Sequence, residues 1–131
     1  MADWWQWSQQ KEEQALTFAV VGVGRFGTAV CRELISNGVD VLAADASEKA
    51  IDDLRQLEPS IEARVIDCTD EESMKESGIL EMNTVVVGIS EPIEASITTT
   101  LIAKDSEGTK VKRVIARATS CLLYTSDAAD E

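Results

Sequence analysis

The stretch TFAVVGVGRFGTAVCRELISNGVDVLAAD, residues 17–45, decides how this chain folds. It opens with an apolar run at 17–22, continuous as in a strand buried on both faces. The glycine-rich turn GVGRFG (22–27) follows. Over 26–36, Phe26, Val30 and Leu34, and likewise Gly27, Cys31 and Ile35, fall on i, i+4 rows of a single helix face. Asn37-Gly38 closes that helix, and a second apolar run, 39–45, ends in Asp45. Strand, glycine turn, helix and strand in this order make a βαβ unit with parallel strands.

The turn carries a chemical signature. Gly22 permits the tight bend, Gly24 lets a pyrophosphate approach the backbone, and Gly27 lets helix and strand pack closely. Val23, Arg25 and Phe26 complete the turn, and the helix start offers amides and partial positive charge to an anion. The string G-x-G-x-x-G is weak evidence in isolation. Here it follows an apolar strand, opens an amphipathic helix and precedes Asp45 by 18 residues, which is the context of a dinucleotide-binding fingerprint. Asp45, with Ala46 after it, is placed to accept ribose hydroxyls and to repel a 2′-phosphate. NAD(H) or an unphosphorylated adenosine ribose is therefore expected rather than NADP(H). The plainer alternative is that Asp45 caps the next helix and the glycines only turn the chain.

Outward from this unit the alternation continues. Ser47 caps a helix to about 57 with Ile51, Leu54 and Leu57 as its inward stripe, and Pro59 stops it. A third strand spans 62–67. Thr69 is the expected cap of a short acidic helix that Gly78 closes. A fourth strand covers 83–90. A helix over 92–105, with Pro92 in its first turn, is expected to bury Ile93, Ile97 and Leu101, and a fifth strand spans 111–118. The predicted architecture is α/β: a Rossmann-like doubly wound parallel sheet in three αβα layers, truncated after about the fifth strand. Residues 1–16 read as a tail, 17–118 as the nucleotide-binding domain, and 119–131 as a tail that is non-native or disordered. Trp4, Trp5 and Trp7 in the first tail either cover an apolar surface or dock to a partner or lipid headgroups.

Other strand ends supply further candidates. Asp67 closes the third strand beside the glycine turn; it faces an adenine edge or, equally, it or Thr69 caps the following helix. Ser90 and Glu91 end the fourth strand across the switch point. Arg25 and Arg117 either converge on a phosphate or sit as surface arginines. Cys31 and Cys68 read as small packing residues.

Composition narrows the chemistry. Twelve Lys plus Arg face 24 Asp plus Glu, a formal charge of −12 in 131 residues, which argues against a nucleic-acid partner. No His is present, so the usual general base and the commonest metal ligand are missing. Three cysteines at wide spacing, Cys31, Cys68 and Cys121, suit a reducing compartment, and no metal site is expected.

The segments FAVVGVGRFGTAVCRELISNGVDVLAADASEKAIDDL, ARVIDCTDEESMKESGI and NTVVVGISEPIEASITTTLIAK together resemble the N-terminal lobe of the regulator-of-potassium-conductance family, the TrkA-N domain. The likeness is strongest to Trk and Ktr type potassium-uptake regulatory subunits and covers about 18–118. It implies a non-catalytic cytoplasmic subunit that binds NAD(H) or ATP/ADP as a regulatory ligand. Such a subunit lies at the cytoplasmic face of the membrane through its partner, and it gates a membrane-embedded potassium-transporting subunit. Carried onto this sequence, Gly22, Gly24, Arg25, Phe26 and Gly27 surround the phosphates and Asp45 the ribose. Asp67, Cys68 and Thr69 take the adenine side, Ile89 and Ser90 the opposite wall, and Arg117 a terminal phosphate. Intact family members are homo-oligomers; the elements after the fifth strand that help form their dimers are missing or replaced here, which argues against dimer and ring assembly by this chain. The competing reading is the severed NAD-binding domain of an oxidoreductase, which needs a proton-transfer group that these residues do not identify.

Overall fold

The computed structural model describes residues 16–116. Strands and helices alternate: β1 (Phe18–Val21), α1 (Arg25–Ser36), β2 (Val41–Asp45), α2 (Glu48–Leu57), β3 (Glu62–Val65), α3 (Glu71–Ser77), β4 (Thr84–Val87), α4 (Ile93–Asp105) and β5 (Arg113–Ala116). A short 3-10 turn at Ile79–Glu81 precedes β4. All strands run parallel in the order β3-β2-β1-β4-β5. The chain thus winds one way from β1 to β3 and then crosses to β4, leaving a switch point between β1 and β4.

Alternation along β1 divides the core. Val20 faces Cys31 of α1 and Ile51 and Leu54 of α2, with Ala43 and Val86 from the neighbouring strands. Ala19 and Val21 face the opposite layer, with Met74 of α3, Ile79 and Ala103 of α4. Two helix layers around one sheet give the Rossmann-like α/β fold expected from the sequence.

Local chemistry explains most boundaries. Ser47 accepts the Ala50 amide at 3.1 Å and starts α2; Gly78 closes α3 in the left-handed conformation, at φ 93°. Strands are a residue or more shorter at their ends than the apolar runs. β1 stops at Val21 because Gly22 takes φ 93° and leaves the pleat.

Three expectations are corrected. Leu57 is 49% exposed and not part of the inward stripe of α2, because steps of three residues walk about 60° around the helix each time. The cap of α3 is Asp70, neither Thr69 nor Asp67: its carboxylate accepts the Ser73 amide at 3.0 Å and the Ser73 hydroxyl at 2.7 Å. Asp67 instead accepts the Thr69 amide at 2.9 Å.

The third correction concerns α4. Ile97 and Leu101 are 49% and 53% exposed, while Ser96, Thr99 and Ala103 face the sheet. Pro92 is the residue before the helix and not part of its first turn. Ile102, half-buried, packs beside Ser96, Thr99 and Ala103 against the core. Trp4, Trp5, Trp7, Arg117 and Cys121 lie outside the described residues.

Candidate functional site

At the carboxyl ends of β1 and β4 three glycines meet. The register pairs Val21 with Val87, so Gly22 and Gly88 follow side by side. A Cβ on Gly27 would lie 1.8 Å from the Gly22 carbonyl oxygen, and one on Gly88 would lie 2.7 Å from the same atom. Close packing of α1 on the sheet therefore requires both positions to lack a side chain. Gly24 differs, because a Cβ there would meet nothing within 4 Å. It faces open space at the start of α1, a helix with no side-chain cap and no acid in its first turn. The partial positive end of α1 is thus left facing solvent, as an anion site requires.

Beside it, Asp45 is held by the backbone. One carboxylate oxygen accepts the Val23 amide at 2.8 Å and the other the Ser47 amide at 2.8 Å. The first bond ties the end of β2 to the glycine turn. A carboxylate offers about four lone-pair sites, so two remain for hydroxyl donors. The Val23 amide is therefore already used, whereas Gly24 is open.

Gly22, Gly24, Asp45, Ala46, Asp67, Cys68, Thr69, Ile89 and Ser90 line one cavity of about 380 Å³. That volume lies in the range of small-ligand sites. Glu91, noted above as a strand-end residue, also lines it, as do Gly88, Pro92 and Ala95, which sequence reasoning did not single out. Gly88 becomes visible only once β4 is paired with β1, and Ala95 only once the phase of α4 is known. Val23 and Arg25 line a neighbouring groove with Thr28, Arg32 and Asp53, joined to the cavity through Gly24. Arg25 is exposed there and makes no ion pair with any described residue. Phe26 is half-buried and packs on the α1 and α2 side of the sheet, and Gly27 is buried against Gly22.

The cavity walls have distinct electrostatics. The Thr69 hydroxyl and amide hold the Asp67 carboxyl below its ordinary range, so it stays ionised. Burial, reinforced by the charges of Asp45 and Asp67, pushes the Cys68 thiol up to about 12. The thiol is therefore neutral at physiological pH and acts as a small apolar wall. Asp45, Asp67 and Glu91 supply the carboxylates, and no Lys or Arg lines this cavity. Positive character comes from the start of α1 and from Arg25 in the neighbouring groove. Among the described residues no group of three or more His, Cys, Asp or Glu is arranged to hold a metal ion. No helix among them is long and apolar enough to cross a membrane.

Comparison with known proteins bears on the fold and the family. In sequence, the chain is 41% identical over 88 residues to Ktr system potassium uptake protein C of Bacillus subtilis (strain 168), covering 67% of this chain and 39% of that protein. It is 40% identical over 89 residues to Ktr system potassium uptake protein A of Vibrio alginolyticus, covering 68% and 40%. The chain thus spans about two fifths of the length of these relatives. In structure, it is similar to the TrkA-N domain of the inner membrane protein ybaL from Escherichia coli. The TM-score is 0.64, identity is 19%, and 85% of this chain and 80% of that one are covered. Yeast methylglyoxal/isovaleraldehyde reductase Gre2, complexed with NADPH, superposes with a TM-score of 0.62 at 14% identity over 77% of this chain and 36% of that one; such a distant likeness speaks for the fold alone. The family described as TrkA-N domain matches residues 18–121, and to that family this chain belongs.

Proposed function

We propose that this chain is the nucleotide-binding lobe, residues 17–118, of a cytoplasmic regulatory subunit of a potassium uptake system. Its ligand is NAD(H) or ATP/ADP, and its partner is the membrane-embedded potassium-transporting subunit. One observation carries the reading: a carboxylate anchored at the end of β2 stands beside an open glycine at the uncapped start of a helix. The relatives named as Ktr potassium uptake proteins support the wider role.

In this reading the phosphates rest on the start of α1, the ribose hydroxyls donate to the unused lone pairs of Asp45, and the base lies towards Asp67, Cys68 and Thr69. Ile89 and Ser90 form the facing wall. Arg25 swings from its groove over Gly24 to meet a terminal phosphate, joined by Arg117. The ligand is not turned over. It acts by binding two arrangements of the lobe unequally, since only differential affinity shifts a conformational population.

Calorimetric titration with NADH, NAD, NADPH, ATP and ADP tests this. NADH or an adenine nucleotide is expected to bind, and NADPH to bind more weakly through repulsion between its 2′-phosphate and Asp45. Replacing Arg25 by Ala is expected to weaken ATP more than ADP. Preference for NADPH would remove the role given to Asp45, and reproducible hydride transfer would favour the oxidoreductase reading instead. Co-purification with a potassium-transporting membrane subunit tests the partnership.

A further inference from the structure

The segment EASITTT (94–100) in α4 is not accounted for by the ligand contacts above. Within it Thr99 is completely buried, and its hydroxyl donates to the Cys68 carbonyl oxygen at 3.0 Å. Cys68 belongs to the loop between β3 and α3, which lines one side of the cavity. Pro92 and Ala95, just before and within the first turn of α4, line it too. The strands leading to these two walls are not neighbours, because β2 and β1 lie between β3 and β4. A hydrogen bond from α4 to the loop therefore spans what the sheet's own ladder does not connect.

A buried carbonyl in this position needs a donor, and the Thr99 hydroxyl supplies it from the inward side of α4, among Ser96, Ala103 and the half-buried Ile102. The bond also requires the face of α4 that carries Thr99 to turn inward. This gives the inward phase of Ser96, Thr99 and Ala103 a purpose beyond packing.

We propose that Thr99 is a positioning residue for the nucleotide site: by pinning the Cys68 carbonyl to α4 it sets the separation between the loop carrying Asp67 and Cys68 and the wall carrying Pro92 and Ala95, and so the width of the slot for the base. The inference rests on the nucleotide-binding reading given above. Loss of the bond loosens the slot and weakens ligands that fill it. The sulfhydryl of Cys68 takes no part, since the acceptor is the main chain.

The test compares wild type with Thr99→Val, which keeps the shape and removes the donor, and with Thr99→Ser, which restores it. Ile79→Val serves as a reference, being fully buried in the same core but away from the cavity. NADH and ADP affinities are measured by calorimetry, and amide hydrogen exchange is followed at Thr69 and Asp70. Thr99→Val is expected to weaken the tighter ligand about tenfold, the effect of losing one buried hydrogen bond, with Thr99→Ser within about threefold of wild type. Exchange at Thr69 and Asp70 is expected to quicken in Thr99→Val alone. Unchanged affinity in Thr99→Val overturns the proposal, as does an equal loss in Ile79→Val, which would make the effect one of general stability. A wild-type chain that binds none of the nucleotides is seen before any substitution is made; that outcome removes the functional reading and the inference with it.

Discussion

Helices α2 and α4 flank the same sheet on opposite faces and are built on different principles. In α2 the large residues Ile51 and Leu54 are fully buried, and Lys49 and Asp53 pair at 2.9 Å on the outside. In α4 the arrangement is inverted: Ile97 and Leu101 face outward, and Ser96, Thr99 and Ala103 face the sheet. The first helix contributes stability through buried area. The second buries smaller side chains, and its inward face carries the Thr99 hydroxyl to Cys68, while Pro92 and Ala95 at its start line the cavity. The helix that borders the site only at its start follows the ordinary amphipathic pattern, while the one bonded to the cavity loop departs from it.

Substitutions can break this contrast, beginning with the tightest contact. Gly27→Ala is expected to cost at least about 4 kcal/mol or to prevent folding, because the new methyl would meet the Gly22 backbone at 1.8 Å. Gly24→Ala, in open space, is expected to fold normally and to lose affinity only for a ligand resting there. Urea unfolding of both variants checks the pair. Next in size, Leu54→Ala on α2 is expected to cost about 3 kcal/mol through lost burial and the remaining cavity. Ser47→Ala removes the α2 cap and is expected to cost about 1 kcal/mol. At the other extreme, Leu101→Ala on α4 is expected to change stability by no more than about 0.5 kcal/mol, since its side chain is half in water already. If Leu101→Ala costs as much as Leu54→Ala, the outward placement of Leu101 on α4 fails.

The buried thiols add a pH dependence. Burial raises both Cys31 and Cys68 from 9.0 to about 12. Each therefore holds its proton more tightly when folded, and its contribution is complete below pH 9 and lost as the pH rises towards 12. Alkylation of the folded protein at pH 8 is expected to be slow at both positions. The urea midpoint is expected to fall between pH 9 and 11, and to fall less in Cys31→Ala.

Reading the sequence succeeded where local chemistry acts alone. Gly22 needs a left-handed φ, Ser47 has a donor three residues on, and Gly78 ends a helix in the one conformation it tolerates best. The glycine turn and Asp45 belong to the same class, because both stand at strand ends that apolar runs delimit. Reading failed where neighbours compete. Asp67 and Thr69 are the caps the sequence suggests, whereas the chain path makes Asp70 the cap. In α4, Ile93, Ile97 and Leu101 lie on one stripe at four-residue steps and suggest one phase, whereas the packed helix turns Ser96, Thr99, Ala103 and Ile102 towards the core.

By itself the amino-acid order determined the alternation of strands and helices, the tight glycine bend and the acid at the end of the second strand. These depend on backbone sterics and on hydrogen bonds within a few residues. Only tertiary structure decided which side of α4 meets the sheet, that Gly88 closes against Gly22, and that Val23 holds Asp45 across 22 residues of chain. Those outcomes depend on the distance between segments far apart in sequence, and that distance is set by how closely the helices settle on the sheet.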